Sequence, residues 1–306
     1  MKKSLPLYIL LPTNNRFHLL KRSVEFILKA EKPDNYKETI IIENGTPKTS
    51  ENITSLFPDT LRLKYVYREN GNKSAALNFA IEKLIPEDNA IMIFLDDDVR
   101  FENDLFMQYM KALGDNKSGF YYGGPVDIDL EGDKPPEHWW KHFPNSHTGW
   151  QPDAKFGDND IKYFLGYNWA AFKKDITNAG GFDEELGPGS QFDVHGQESR
   201  MQSKLLDFGI TPFYVPNALV WHFITKEQMT VEFLIKRCKK QGRTTWYNHD
   251  RHLPRMRLIG RKCMIIMRII AFWLLMVLNQ INIKLYSKYK VKLYRWYGRL
   301  LGNMNY

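Results

Sequence analysis

The sequence predicts an α/β fold with a mostly parallel central sheet, followed by a basic helical arm. Two observations carry the fold class. Apolar runs at Leu5 to Leu11, Thr39 to Ile42, Leu63 to Tyr67 and Ala90 to Leu95 alternate with segments of helical spacing, the pattern of a sheet wound with helices. The run from Ala90 is also apolar enough to be buried on both faces, as parallel strands are. A third observation sets off the arm: residues 226–306 carry 18 Lys+Arg against 3 Asp+Glu, whereas the remainder carries 25 against 32. The net charge of +8 therefore divides into +15 and −7, and the expected boundaries are 1–225 for the α/β domain and 226–306 for the arm.

The elements follow in order. Leu5 to Leu11 stops at Pro12, and Phe17 to Ala30 places Leu19, Leu20, Val24, Ile27 and Leu28 on one helical face. Met1-Lys-Lys with this run imitates a signal peptide, but Pro6 and the absence of a small-residue cleavage site favour a first strand. Thr39 to Ile42 ends in Glu43-Asn-Gly45. Leu63 to Tyr67 leads through Asn70-Gly71 into a helix from Lys73 to Leu84. Gly119 to Ile128 reads as a strand and Asp133 to Asp160 as a long loop containing Trp139, Trp140 and Trp150. Phe164 to Phe172 reads as another strand, before a short helix from Lys173 to Ala179. Gly196-Gln-Glu198 opens an amphipathic helix, and Pro212 to Trp221 reads as a strand ending in His222.

Chemistry concentrates where the fourth run ends, in Asp96-Asp97-Asp98. Three adjacent carboxylates repel unless a cation or several donors neutralise them, and hard oxygen ligands on a short turn suit Mg2+ or Mn2+. A solvated acidic turn ahead of the helix near Glu102 is the plainer alternative. In a parallel sheet every strand's carboxyl end lies on one edge, where ligands bind, so Pro12, Thr13, Glu43 and the three aspartates are expected to converge. Glu198, in the first turn of its helix, suits a general base, and the imidazole of His222 suits a metal ligand. No Gly-x-x-x-x-Gly-Lys-Ser/Thr and no Gly-x-Gly-x-x-Gly occurs, which argues against a P-loop or dinucleotide enzyme. Cys238 and Cys263 give no disulfide framework and point to a reducing compartment, the cytoplasm by default.

The ordered set of Pro12-Thr-Asn-Asn-Arg16, Glu43-Asn-Gly45, Asn70-Gly-Asn-Lys-Ser-Ala-Ala-Leu-Asn78, Leu95-Asp-Asp-Asp-Val99, Gly180-Gly-Phe-Asp-Glu184, Gly196-Gln-Glu198 and Val220-Trp-His222 resembles the GT-A-type inverting glycosyltransferases of family 2. The resemblance spans residues 5 to about 225. It implies a nucleoside diphosphate sugar donor, a saccharide or lipid-linked acceptor, and a divalent metal, Mn2+ or Mg2+, on Asp98 and His222. It further implies donor contacts from Pro12, Thr13, Glu43, Asn70, Lys73 and Asp96, with Glu198 as base. The family usually has Glu-Asp where this chain has Gln197-Glu198, so the base is one methylene longer. A catalytically silent sugar-nucleotide-binding protein and a sugar nucleotidyltransferase are the competing readings.

The arm holds a helical pattern from Thr230 to Arg243 and an apolar segment from Arg257 to Ile283 whose uninterrupted core is too short to span a bilayer. Arg257, Arg261, Arg268, Asn279 and Asn282 fall near one stripe. The apolar face expected opposite them carries Met264, Ile265, Phe272, Trp273, Leu275 and Met276. With Lys and Arg interleaved among Tyr and Trp from Lys284 to Arg299, the arm suits an anionic membrane surface, peripherally on the inner face of the cell membrane. Packing of that face on protein is the alternative. The acidic body argues against nucleic acid as a partner.

Overall fold

The computed structural model describes residues 5–114 and 119–302, so the Met1-Lys-Lys start of the leader-like segment lies outside the described residues. Contacts divide the chain into two compact units. The first takes the described residues up to Asp129 with 149–190 and 197–223; the second takes 130–148, 191–196 and the chain from Ile224 onward.

In the first unit, strands β1 (Leu7–Thr13), β2 (Tyr36–Asn44), β3 (Leu63–Arg68) and β4 (Ile91–Phe94) pair in parallel in the order β3-β2-β1-β4. The helices between them are α1 (Phe17–Lys29) and α2 (Lys73–Lys83). β1 and β4 are buried along their whole length, as their apolarity requires. α1 turns Leu19, Leu20, Val24 and Ile27 inward, and α2 begins at Asn72, whose side chain accepts from the Ala75 N–H at 3.1 Å. Beyond β4 come β5 (Val99–Phe101), α3 (Leu105–Leu113), β6 (Phe120–Gly123) and β7 (Val126–Leu130). Two one-turn helices, α4 (Glu137–Trp140) and α5 (Asn145–Thr148), precede β8 (Trp169–Phe172), α6 (Lys173–Asn178), α7 (Gln197–Asp207), β9 (Thr211–Tyr214) and β10 (Val220–Ile224). The large sheet continues as β4-β8-β6-β9, with β8 antiparallel to both neighbours, and a small sheet runs β5-β10-β7.

Three strands expected from apolar runs are shorter or divided. Gly119 to Ile128 is two strands in different sheets, broken at Gly124-Pro125; a Cβ on Gly124 would lie 2.0 Å from the Ala218 carbonyl oxygen. Pro212 to Trp221 likewise splits between the two sheets, and Pro216 stands in the break. Of Phe164 to Phe172 only the last four residues pair. The preceding turn is held by Asn168, whose amide donates to the carbonyls of Pro125 (2.8 Å) and Ala218 (2.7 Å) and accepts from Tyr109 at 2.7 Å. Being antiparallel, β8 sets its N-terminal end beside the carboxyl ends of β4 and β6, which brings residues 164–168 to the ligand edge. The tryptophans of the long loop do not form one group. Trp150 meets Phe164 and Tyr214 in the first unit, and Trp139 meets Tyr286 in the second.

The second unit is built on α8 (Val231–His249), α9 (Arg255–Leu278) and α10 (Ile283–Leu301). Thr230 and Asn282 cap α8 and α10 by accepting from the N–H groups of Phe233 and Leu285. Asp250, fully buried, takes Arg299 Nε at 2.6 Å and Nη2 at 2.8 Å. α9 differs from expectation in which face is open. Ile265 is buried and Met264, Phe272, Leu275 and Met276 are half-buried, whereas Met256, Ile259, Ile266, Ile270, Trp273 and Val277 are exposed at alternating spacings of three, four and seven. Among the described residues no helix is long and apolar enough to cross a membrane.

α8 and α10 cross at two glycines. A Cβ on Gly298 would sit 2.0 Å from the Lys239 carbonyl oxygen, and one on Gly242 would sit 2.0 Å from that of Arg295. Gly298→Ala is expected to cost about 1–3 kcal/mol by forcing the helices apart. Gly260→Ala on α9, where a Cβ meets nothing within 4 Å, is expected to gain about 0.5–1 kcal/mol. Urea denaturation of the two variants checks the opposite signs.

Candidate active site

The carboxyl ends of β1, β2 and β4 border a cleft of about 280 Å³ lined by Pro12, Thr13, Asn14, Arg16, Asn44, Lys73, Asp96, Asp97 and Pro188. Its floor is the aspartate turn, and each aspartate has its own partner. Asp96 accepts from Lys73 Nζ at 2.7 Å. Asp97 accepts from the Thr13 hydroxyl at 2.6 Å and from Arg16 Nη1 at 3.2 Å, and the same Arg16 nitrogen reaches Asp98 at 2.7 Å. His222 Nε2 lies 3.3 Å from Asp98 Oδ1. Antiparallel pairing of β5 with β10 produces that approach: His222 is opposite Val99, and the Phe223 N–H donates to the Asp98 carbonyl at 2.8 Å. Tyr167 stacks on the imidazole with ring centres 4.5 Å apart.

These neighbours move the acids in different directions. Burial and the charge of Asp98 push the Asp97 carboxyl up to about 7 against the pull of Arg16 and Thr13. Burial raises Asp96 too, with Lys73 opposing it. Burial would also raise Asp98, but His222, Arg16 and Lys73 hold it well below the usual carboxylate range. For Lys73, burial is outweighed by Asp96 and Glu198, which keep the ammonium firmly protonated.

Lys73 also donates to Glu198 at 3.0 Å, joining the base candidate to the aspartate turn. α2 is positioned for this by the loop at 182–189. The Lys73 N–H donates to the Pro188 carbonyl at 3.2 Å, Ser74 to that of Leu186 at 2.9 Å, and Asn72 and Asn78 to those of Glu184 and Phe182. Gly189 lies so close to Gly71 that a Cβ there would be 1.8 Å from its carbonyl oxygen. Glu198 is steadied by the Gln197 amide at 2.8 Å and faces Gly166, where a Cβ would fall 2.4 Å from its Cγ and Cδ.

Six of the expected site residues, Pro12, Thr13, Lys73, Asp96, Asp98 and Glu198, are thus linked through one ionic network or its walls, with His222 against Asp98. Glu43 and Asn70 stand apart. The Glu43 carboxylate is fully buried and accepts from the N–H groups of Thr49 and Ser50 and the hydroxyls of Thr49, Ser50 and Tyr65. Burial would raise its carboxyl, but those donors hold it below its ordinary value. It is committed to shaping the turn after β2, and the neighbouring Asn44 lines the cleft instead. Asn70 is exposed on the turn after β3, beside a separate depression with Tyr67, Arg68 and Glu69. Sequence reasoning assigned no individual role to Arg16, Asn44, Gly166 or Tyr167, and read Asp97 only as one of three clustered carboxylates. Arg16 was within reach, because three adjacent carboxylates demand more than one cation; nothing in the sequence marks Gly166 or Tyr167.

Among the described residues no group of three or more His, Cys, Asp or Glu side chains is arranged to hold a metal ion. Asp98 and His222 fit a hard divalent ion as a two-residue seat: Asp98 Oδ1 and His222 Nε2 are buried and face each other 3.3 Å apart, and Mg2+ usually takes one or two carboxylates with water and substrate phosphates completing the shell.

The profile of Glycosyl transferase family 2 matches residues 8–179, more than half of the chain. The chain belongs to this family. Membership makes glycosyl transfer its class of chemistry, and the fold agrees. PcManGT, a mannosyltransferase from Pyrobaculum calidifontis solved with GDP-Man and Mn2+, superposes with a TM-score of 0.58 at 16% identity, over 97% of this chain and 86% of that one. GalNAc-T7 with UDP, GalNAc and Mn2+ gives 0.57 at 13% identity over 83% of this chain, which spans 52% of GalNAc-T7. S. aureus TarS 1-349 with UDP-GlcNAc gives 0.54 at 13% over 83% and 69%. At such identities the likeness speaks for the GT-A fold alone. No curated protein sequence matches the chain.

Gly166→Ala is expected to push the Glu198 carboxylate off Lys73 without unfolding the chain. Misplacement of a reacting group by about 1 Å costs on the order of 100-fold in rate. Sugar-transfer kinetics check this beside a thermal melt, and a rate within about two-fold of wild type would show that the Glu198 position is immaterial.

Proposed function

We propose that the chain transfers a sugar from a nucleoside diphosphate sugar to a hydroxyl of a saccharide or lipid-linked acceptor, with inversion, in polysaccharide or other glycan assembly. The observation that carries this reading is the Lys73 ammonium, 2.7 Å from Asp96 and 3.0 Å from Glu198. It ties the carboxylate turn that suits the donor's ribose and diphosphate to a carboxylate suited to act as base. Residues 1–225 form the catalytic domain in this reading and 226–306 the arm. Asp96 contacts the ribose, Pro12 and Thr13 border the nucleoside, and Glu43 acts on it through the turn that presents Asn44.

Glu198 takes the proton of the acceptor hydroxyl, whose oxygen forms its bond to the anomeric carbon from the face opposite the leaving group. The carbon–oxygen bond to the diphosphate breaks, and the nucleoside diphosphate departs with the electron pair. Lys73 and Arg16 are preorganised cations near the developing negative charge. Asp98 and His222 would hold a Mn2+ or Mg2+ whose charge stabilises the departing diphosphate.

The arm, in the same reading, holds the enzyme peripherally on the cytoplasmic face of the membrane. The exposed apolar stripe of α9 supports insertion, and a balance of +15 over residues 226–306 supports attraction to anionic headgroups.

Two experiments test these assignments. Glu198→Gln is expected to bind donor as wild type does and to lose about 10²–10⁴-fold in turnover, while Asp98→Ala loses Mn2+-dependent donor binding. Calorimetry and a transfer assay over a donor panel separate the two, and turnover by Glu198→Gln near the wild-type rate would move the base elsewhere. Flotation with anionic liposomes should carry the full chain upward and weaken with salt. A chain that stays at the bottom with anionic and neutral vesicles alike rules out the membrane role.

A further inference from the structure

The second unit contains an open cavity of about 380 Å³ that the chemistry above does not use. Phe143, Leu234 and Cys238 form an apolar wall, and His142, His195, Arg237 and Arg295 supply its polar groups. Among the described residues no acidic side chain lines it. Arg237 donates to the Ser146 hydroxyl at 3.1 Å, and Lys240 and Arg243 share the carboxylate of Asp193. Two arginines, Arg237 and Arg295, therefore line the cavity with no carboxylate in its wall, and Lys240 and Arg243 with Asp193 stand behind it.

The histidines fit the same picture. Burial, with Arg237, Lys240 and Arg243, drives His195 down to about 3, so its ring is neutral. Burial, Lys141 and Arg295 lower His142 as well. Of the lining groups, His142 Nε2 and His195 Nε2 are buried without a hydrogen-bond partner. Native proteins rarely leave such groups unmatched, and an oxyanion accepts from ring N–H groups and guanidinium groups together.

We infer that this cavity is a subsite for a phosphate or diphosphate group carried by the acceptor, an inference that rests on the glycosyl-transfer reading above. Guanidinium groups bind phosphate oxygens in forked pairs, which two separate arginines suit. The cavity exceeds what a single oxyanion fills, and its apolar wall accommodates the substituent esterified to it. His195-Gly196 of the wall directly precede, in the chain, the helix that carries Glu198. A lipid-borne diphosphate and a phosphodiester of a soluble or polymeric acceptor share this chemistry.

The test uses the full-length chain with Asp98→Ala, which silences the donor site, and follows the ring resonances of His142 and His195 while pyrophosphate and then geranyl diphosphate are added. Both ligands are expected to shift those resonances saturably. Adding Arg295→Gln, a substitution at an exposed position, is expected to weaken binding by about 10-fold or more, as loss of a charge-assisted hydrogen bond does. Tighter binding of the geranyl ester assigns the group to a lipid, and equal binding assigns it to a non-lipid phosphate acceptor. Unmoved histidine resonances, or an affinity indifferent to Arg295→Gln, overturn the subsite. Donor turnover by the wild-type chain, measured alongside, keeps that failure distinct from failure of the glycosyl-transfer reading.

Discussion

Two unit charges ~6 Å apart repel by roughly 3 kcal/mol at an effective dielectric of ~20, and the turn after β4 carries three carboxylates on consecutive residues. The first unit is arranged around their neutralisation. Arg16 comes from the loop after β1, Lys73 from the start of α2 and His222 from β10, which are close only because the sheet brings them together. Each is held by its own backbone device. The Ser23 hydroxyl lies 2.9 Å from the carbonyls of Asp97 and Val99 and ties α1 to the turn. The loop at 182–189 docks on the first turn of α2, and β5 pairs with β10. Removing one cation leaves a carboxylate buried and uncompensated, which costs far more than the pair itself contributes.

That constraint explains what could be read from the sequence. The alternation of apolar runs with helical spacing is local, and it located β1 to β4, α1 and α2 with ends shifted by a few residues. The acidic turn was legible because three adjacent anions are conspicuous. The split strands were not legible: Gly124-Pro125 and Pro216 break hydrophobic runs whose two parts belong to different sheets, and a one-dimensional pattern carries no sheet assignment. The same limit applies to Glu43. A carboxylate after a strand invites a ligand, and only the three-dimensional turn reveals that Thr49, Ser50 and Tyr65 already saturate it.

The added methylene at Glu198 has a structural counterpart. A longer carboxylate needs either a retreating helix or an absent neighbour, and the chain offers the second: the backbone facing Glu198 belongs to Gly166, where even one carbon would collide with its Cγ. Gly166 and the two residues after it also bring Tyr167 onto His222 and Asn168 onto the carbonyls of Pro125 and Ala218. One turn therefore clears space for the Glu198 carboxylate, backs the imidazole and clamps two loops. This is why a segment that reads as a strand is irregular until Trp169.

In the second unit, the basic residues of α9 do not all serve its open face. Arg268 lies over the Trp296 ring at 4.4 Å, and Arg261 approaches the buried Asp250 at 3.6 Å beside Arg299. Lys292 of α10 lies over Phe272 at 5.4 Å, and Phe272 stacks on Tyr289. These contacts occupy the side of α9 that meets α10, so a helix apolar on most of its circumference has one face sealed by aromatic and cationic neighbours and another left bare. Of the solvated cations that remain, Arg255, Arg257 and Lys262 lie in the first third of α9 and Lys284 and Lys288 at the start of α10. The bare face of α9 and these cations thus occupy different parts of the second unit's surface, because aromatic and cationic neighbours have already claimed the side that meets α10.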